Sequence, residues 1–151
     1  MASILREVTE TIVTLAKGFR VTFRNMLGKT VTENYPETPV SFMPRYRGIH
    51  VLQRDEQGLE KCVGCFLCAA ACPANCIYIE AAENTDATLI SAGERYASVY
   101  NIDYSRCIFC GYCVEACPTE ALGMTGEYEL ASFSREAQLY GKERLLEATP
   151  I

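Results

Sequence analysis

The sequence predicts an α+β fold in which a β-loop-α-β unit occurs twice, its halves related by a pseudo-two-fold axis. Three observations carry that expectation. The run Cys62-Val63-Gly64-Cys65-Phe66-Leu67-Cys68-Ala69-Ala70-Ala71-Cys72-Pro73 and its echo from Cys107 to Pro118 share the pattern C-x2-C-x2-C-x3-C-P. Short apolar or alternating segments flank each copy: Val51-Leu52-Gln53 and Ile77-Tyr78-Ile79-Glu80 around the first, 97–104 and Leu122-Gly123-Met124 around the second. Such runs bounded by turn residues read as strands. A chain of 151 residues holds one domain of this kind with appended segments, or two very small ones.

Residues 1–28 form the first appended segment. Ile4, Val8, Ile12, Leu15, Phe19, Phe23 and Met26 recur at steps of three and four, a single apolar stripe at helical period. Ser3 is placed to cap this amphipathic helix, with Glu7 nearby. Lys17, Arg20, Arg24 and Lys29 crowd its C-terminal half, where cations suit the helix dipole. Thr9, Thr11, Thr14 and Thr22 lower its propensity, so it needs a surface to form on. That surface is either protein, this chain's own core or a neighbouring subunit, or the membrane interface, with the stripe toward lipid and the basic side toward phosphates.

Residues 29–50 turn extended. Pro36, Pro39 and Pro44 exclude a regular helix, and the composition fits an arm ordered by contact with a partner. His50 is the only histidine; beside Gly48 and Ile49 it reads as a hydrogen-bonded structural residue, and it is assigned no role. The core covers 51–125. Asp55-Glu56-Gln57-Gly58 turns into the first cysteine run, and 69–74 opens a short helix of small residues. The polar stretch 81–96 is an insertion on the surface. In the strand over 97–104, Val99 and Ile102 face inward or nearly so. Residues 126–151 make an acidic, tyrosine-containing tail, partly helical and suited to docking.

The cysteine pattern is the one bacterial-type ferredoxins use to hold [4Fe–4S] clusters. Three thiolates spaced by two residues wrap one cubane in a tight loop, while the fourth, before proline, points away and ligates the other cluster. The expected sets are therefore crossed. Cys62, Cys65, Cys68 and Cys117 hold one cluster; Cys107, Cys110, Cys113 and Cys72 hold the other. A lone C-x-x-C would be weak evidence, since zinc ribbons and redox dithiols share it. Two complete copies are specific. A disulfide framework does not fit nine cysteines that no secretory signal precedes. Cys76 lies opposite Ala121 when the repeats are overlaid, so it is read as a small buried residue near a cluster but not on it.

Cubanes fully ligated by cysteine offer no open iron, so their chemistry is one-electron transfer. Val63, Phe66, Ile108, Phe109 and Tyr112 lie between the ligands and shield the sulfides. With no nucleotide loop, flavin signature or acid–base pair, the chain relays electrons and performs no substrate chemistry. A formal charge of −5 does not favour nucleic acid. No apolar run reaches eighteen residues, so no segment is expected to span a membrane.

Outside the cysteines, the stretches Val31-Thr32 through Tyr35-Pro36-Glu37, Pro44-Arg45-Tyr46-Arg47-Gly48-Ile49-His50, Leu59-Glu60-Lys61, Ala82-Glu83-Asn84, Gly93-Glu94-Arg95-Tyr96, Arg106-Cys107-Ile108-Phe109-Cys110-Gly111 and Tyr140-Gly141-Lys142-Glu143 resemble the two-cluster ferredoxin-type subunit of respiratory complex I, the proton-pumping NADH:quinone oxidoreductase. The resemblance covers nearly the whole chain. It implies a subunit of the peripheral arm, near the membrane domain and on the cytoplasmic side in bacteria. Its two [4Fe–4S] clusters would take electrons that entered from NADH and pass them to the terminal cluster that reduces quinone. The N-terminal helix would then anchor at the membrane domain, and the arm and tail would touch adjacent peripheral-arm subunits. The family's tail is often longer than this one.

Three other readings stand beside it. A mobile low-potential ferredoxin would have no use for the helix, arm and insertion. The homologous subunit of a membrane-bound energy-converting hydrogenase would carry the same cysteine pattern. A zinc-stabilised interaction module would have no redox role.

Overall fold

The computed structural model describes residues 2–85 and 89–147. The chain divides into two compact units, Met1–Ser41 and Phe42–Ile151. In the first, helix α1 spans Ala2–Met26. Ser3 lies inside its first turn and does not cap it, because a capping residue must stand outside the helical dihedrals. The threonines are accommodated by bonding back onto the preceding turn, Thr11 Oγ1 to the Glu7 carbonyl and Thr14 Oγ1 to the Glu10 carbonyl, both at 2.8 Å. Arg6 and Glu10 pair across one turn at 3.0 Å. The stripe residues Ile4, Val8, Ile12, Leu15, Phe19, Phe23 and Met26 are exposed. Beyond Gly28 the segment to Ser41 has neither helix nor strand, as its prolines require.

The second unit carries strands β1 (His50–Leu52), β2 (Ile77–Glu83), β3 (Arg95–Asp103), β4 (Leu122–Met124) and β5 (Leu139–Tyr140), with short helices α2 (Leu67–Ala71), α3 (Tyr112–Glu115) and α4 (Lys142–Glu147). The order β1-loop-α2-β2 recurs as β3-loop-α3-β4. Strand pairing crosses between these halves: β1 lies antiparallel to β4, and β2 antiparallel to β3. Helix α2 packs on α3. The core between these elements is built from Leu52, Ile79, Tyr100, Ile102, Leu122 and Leu145, all buried; each such side chain contributes about 1.5–3 kcal/mol on transfer from water.

The segment expected as a surface insertion contributes strand at its two ends and a loop between them. Ala81–Glu83 pairs with Arg95–Ala97, leaving a loop pinned by Asn84, whose amide donates to the Ser91 carbonyl at 2.9 Å and the Ser91 hydroxyl at 3.0 Å. The register slips by one residue between Glu80 and Ala81. Ser98 is the extra residue, and its hydroxyl donates to the Glu80 carbonyl at 3.1 Å. A bulge of this kind changes the phase of alternation. Ala97 therefore faces the core together with Tyr100 and Ile102, and Val99 is half-buried.

The tail also departs from expectation. β5 adds to β3, pairing Tyr140 with Ile102 and Leu139 with Asp103. Tyr140 packs edge-on against Tyr104 at 4.6 Å, and Leu145 on α4 is fully buried. Lys142 forms a buried ion pair with Glu60 at 2.8 Å and donates to the Ala97 carbonyl at 2.7 Å. Elements of two and six residues are too short to announce themselves by periodicity, yet they close the fold. Residues 148–151 of the tail lie outside the described residues. The end of the arm is likewise ordered within the chain. Phe42 packs on Tyr46 and Tyr128 at 4.1 and 4.9 Å, and the N–H groups of Gly48 and Ile49 donate to the carbonyls of Thr125 and Glu127 at 3.0 and 2.8 Å.

Candidate metal centre

The eight cysteines of the repeats sit where the crossed strand pairing ends. Gln53, just past β1, donates to the Ala121 carbonyl at 2.8 Å, and Asp103, at the end of β3, donates to the Cys76 carbonyl at the same distance. Each loop therefore starts beside the segment that carries the other half's fourth cysteine. Cys117 comes next to the first loop and Cys72 next to the second.

The thiols follow that plan. Burial pushes the Cys62 thiol up, and the thiols of Cys68, Cys117 and Cys65 push it further. Burial also raises Cys68, with Cys117 and Cys65 again adding to the rise. On the other side, burial raises Cys107, helped by Cys72 and Cys110, and pushes Cys113 up to about 12, helped by Cys107, Cys68 and Cys110. Cys72, Cys107, Cys110 and Cys113 line one cavity together with Cys76 and His50. Cys65, Cys68 and Cys117 thus act on Cys62, and Cys72 and Cys110 on Cys107, while Cys68 also acts on Cys113.

Main-chain donors point at these sulfurs in the same way in both halves. The N–H groups of Gly64 and Ala69 serve Cys62 and Cys68, and those of Phe109 and Val114 serve Cys107 and Cys113. The backbone that aims them is left-handed at matched positions: Gly64 and Phe109 at φ 61° and 53°, Phe66 and Gly111 at 66° and 81°, Asn75 and Glu120 at 48° and 50°. Successive N–H groups in such turns form a concave nest for negative charge. At the fourth cysteines the nest wins outright. Burial works upward on Cys72, but the N–H and thiol of Cys76 and the N–H groups of Ala74 and Asn75 leave it below the usual thiol range. Burial works upward on Cys117 too, and the N–H groups of Leu122, Ala121 and Thr119 with the Thr119 hydroxyl outweigh it.

Side chains complete the surroundings, and these the sequence did not disclose. The Tyr100 hydroxyl lies 3.4 Å from Cys68 Sγ, His50 Nε2 lies 3.4 Å from Cys113 Sγ, and Thr119 Oγ1 lies 3.7 Å from Cys117 Sγ. His50 is buried and is a core residue of the site; burial pulls its pKa down to about 4. Cys76 is buried with its sulfur 3.4 Å from that of Cys72.

Among the described residues, no three His, Cys, Asp or Glu side chains converge on one point as a single metal ion requires. Cysteine thiols fed by main-chain N–H groups are the donor set of an iron–sulfur cluster, whose charged sulfurs such donors stabilise.

Residues 61–121 match the family described as "4Fe-4S dicluster domain". The fold and the site define an iron–sulfur protein of the ferredoxin-like dicluster class. Over 150 residues, 99% of the chain, it is 58% identical to NADH-quinone oxidoreductase subunit I 1 of Solibacter usitatus (strain Ellin6076), covering 90% of that protein. It is 60% identical over 141 residues to NADH-quinone oxidoreductase subunit I 2 of Koribacter versatilis (strain Ellin345), covering 90% of this chain and 81% of the relative. The chain belongs to the NADH-quinone oxidoreductase subunit I family. A chain from the structure of the membrane-bound sulfane sulfur reductase, an archaeal respiratory membrane complex, is similar at 33% identity with a TM-score of 0.52, covering 77% of this chain and 55% of that one.

Proposed function

We propose that this chain is the electron-relay subunit of a proton-pumping NADH:quinone oxidoreductase. Cys62, Cys65, Cys68 and Cys117 would hold one [4Fe–4S] cluster, and Cys72, Cys107, Cys110 and Cys113 the other. When bound, the clusters supply one-electron transfer from the upstream iron–sulfur chain toward the terminal cluster that reduces quinone. The chain's own residues hold the sulfurs and feed them N–H groups; Tyr100 and His50 stand against one sulfur in each set. The observation that carries the reading is the gathering of Cys117 with Cys62 and Cys68, and of Cys72 with Cys107.

The repeated backbone supports a pseudo-two-fold core over 51–125, with 1–28 as an anchoring helix, 29–50 as an arm and 126–151 as a closing and docking segment. No helix among the described residues is long and apolar enough to cross a membrane. The exposed stripe of α1 supports attachment at the membrane domain or the lipid surface beside it, on the cytoplasmic side in bacteria, with neighbouring peripheral-arm subunits as partners. A second reading is favoured by the likeness to the archaeal respiratory complex: the same relay in a membrane complex with another donor and acceptor.

A mild-detergent pull-down of the tagged chain from native membranes separates them. Co-elution of a large complex with NADH-driven quinone reduction is the expected result. Hydrogen- or sulfur-linked activity in its place would move the chain to the second reading. A brown chain recovered alone from the soluble fraction would overturn both.

A further inference from the structure

We infer that His50 and Tyr100 are positioning residues that set the two reduction potentials separately, His50 by donating a hydrogen bond to Cys113 and Tyr100 by donating one to Cys68. The inference rests on the ligand sets proposed above. His50 opens β1, in the first half, yet it reaches the second loop; Tyr100 lies on β3, in the second half, and reaches the first.

The direction of the His50 bond follows from its neighbours. The Tyr104 hydroxyl accepts the main-chain N–H of His50 at 3.0 Å and lies 3.2 Å from its ring Nδ1. The thiolate at Cys113 calls for a proton on the nitrogen facing it, which leaves Nδ1 to accept from the Tyr104 hydroxyl. The ring proton then stands on Nε2, 3.4 Å from Cys113 Sγ. The other tautomer would set a nitrogen lone pair against a thiolate. On the opposite side a ligating thiolate can only accept, so the Tyr100 hydroxyl, 3.4 Å from Cys68 Sγ, donates.

A donor on a ligand sulfur withdraws charge and favours the reduced state, which carries one more electron. No proton moves in this one-electron step, and both side chains keep theirs. Because the donors differ, an imidazole at one sulfur and a phenol at the other, the two potentials are adjustable one at a time.

The test uses the full-length chain, loaded anaerobically with ferrous iron and sulfide and titrated with dithionite under electron paramagnetic resonance. Cys113→Ser first assigns the signals: it perturbs one and spares the other. If it spares both, the ligand sets fail and not the hydrogen-bond argument. His50→Met is expected to lower the equilibrium constant for reduction of the Cys113 cluster about tenfold, ~59 mV for a one-electron couple, and to leave the Cys68 cluster unmoved. His50→Gln, which returns an N–H near the same place, restores most of it. Tyr100→Phe does the reverse, moving only the Cys68 cluster. If either substitution shifts both potentials together, or neither shifts any, the inference is overturned. Should His50→Met fail to load, Tyr100→Phe decides, because a Cys68 cluster whose potential does not move there overturns the inference.

Discussion

The two cysteine loops share a backbone and disagree about which residues occupy it. Each has a left-handed residue just before its second cysteine and another just after. In the first loop these are Gly64 and Phe66; in the second they are Phe109 and Gly111. Glycine and phenylalanine have traded places. The conformation is thus common to both loops, while the neighbours choose the side chain. A Cβ on Gly64 would stand 2.9 Å from the Ala81 Cβ and 3.1 Å from the Tyr96 carbonyl, and one on Gly111 would stand 3.1 Å from Arg47 Nε. Phe109, where the first loop has glycine, stacks with Tyr104 at 5.6 Å and lies 6.0 Å from His50. The entries to the loops differ as well. The first runs in over the buried pair of Glu60 and Lys142. The second turns on Asp103, which accepts from the Ser105 hydroxyl at 2.5 Å and pairs with Arg106 at 3.3 Å.

The largest effect expected from breaking this likeness concerns the crossing itself. Cys117→Ala should remove the cluster of the Cys62 loop and spare that of the Cys107 loop, so that iron falls from about eight to about four atoms per chain. Iron analysis with resonance spectra decides it; loss of the Cys107-loop signal instead would mean each loop keeps its own fourth ligand. Next comes Lys142→Met, which strands the Glu60 carboxylate with only a sliver of solvent access. Removing one partner of a buried pair costs about 3–5 kcal/mol, read as a lower denaturant midpoint for cluster bleaching. Joint replacement by Lys142→Met and Glu60→Leu should recover most of that loss.

A finer contrast separates the two glycines. Alanine at either must adopt a positive φ at about 1–2 kcal/mol. Gly64→Ala also collides with a strand, whereas Gly111→Ala meets the movable end of an arginine. Thermal loss of the visible absorbance should therefore fall further for Gly64→Ala; equal losses would show that dihedral strain alone matters. The smallest effect belongs to Asp103→Asn. The Ser105 hydroxyl, its N–H and the charges of Arg106 and Arg135 hold this carboxyl below its usual range. Its contribution is thus present above the ordinary carboxylate pKa and fades as pH falls through the depressed value. Being solvent-screened, that contribution should disappear in high salt, which denaturation at two ionic strengths would check.

The cysteine frame was legible because its signal is local: a repeated spacing, with proline after the fourth thiol. Strand Leu122–Met124 and helix α1 were legible for the same reason, through short-range pattern. What escaped depends on register. His50 and Cys113 are far apart in the chain, as are Tyr100 and Cys68, and only the antiparallel pairing of β1 with β4 and β2 with β3 brings them together. A lone histidine and two tyrosines give no spacing to read. Ala97 shares the core face with Tyr100 and Ile102 only because Ser98 adds a residue between them, which no short-range pattern announces. The closing role of the tail was hidden because a two-residue strand contributes backbone bonds, not a hydrophobic pattern.

The crossed strand pairing has a consequence for how the molecule is made. Synthesis proceeds at about 5–20 residues per second, so the first four repeat thiols leave the ribosome seconds before Cys117. With ligands exchanged between the halves as proposed, the nascent first half would hold four thiols but no complete nest for metal. Capture of iron would then wait until α3 and β4 have formed and β4 has closed on β1. Maturation then becomes a checkpoint on the finished fold, and a truncated chain ending before Cys107 would carry no cluster into the assembly line.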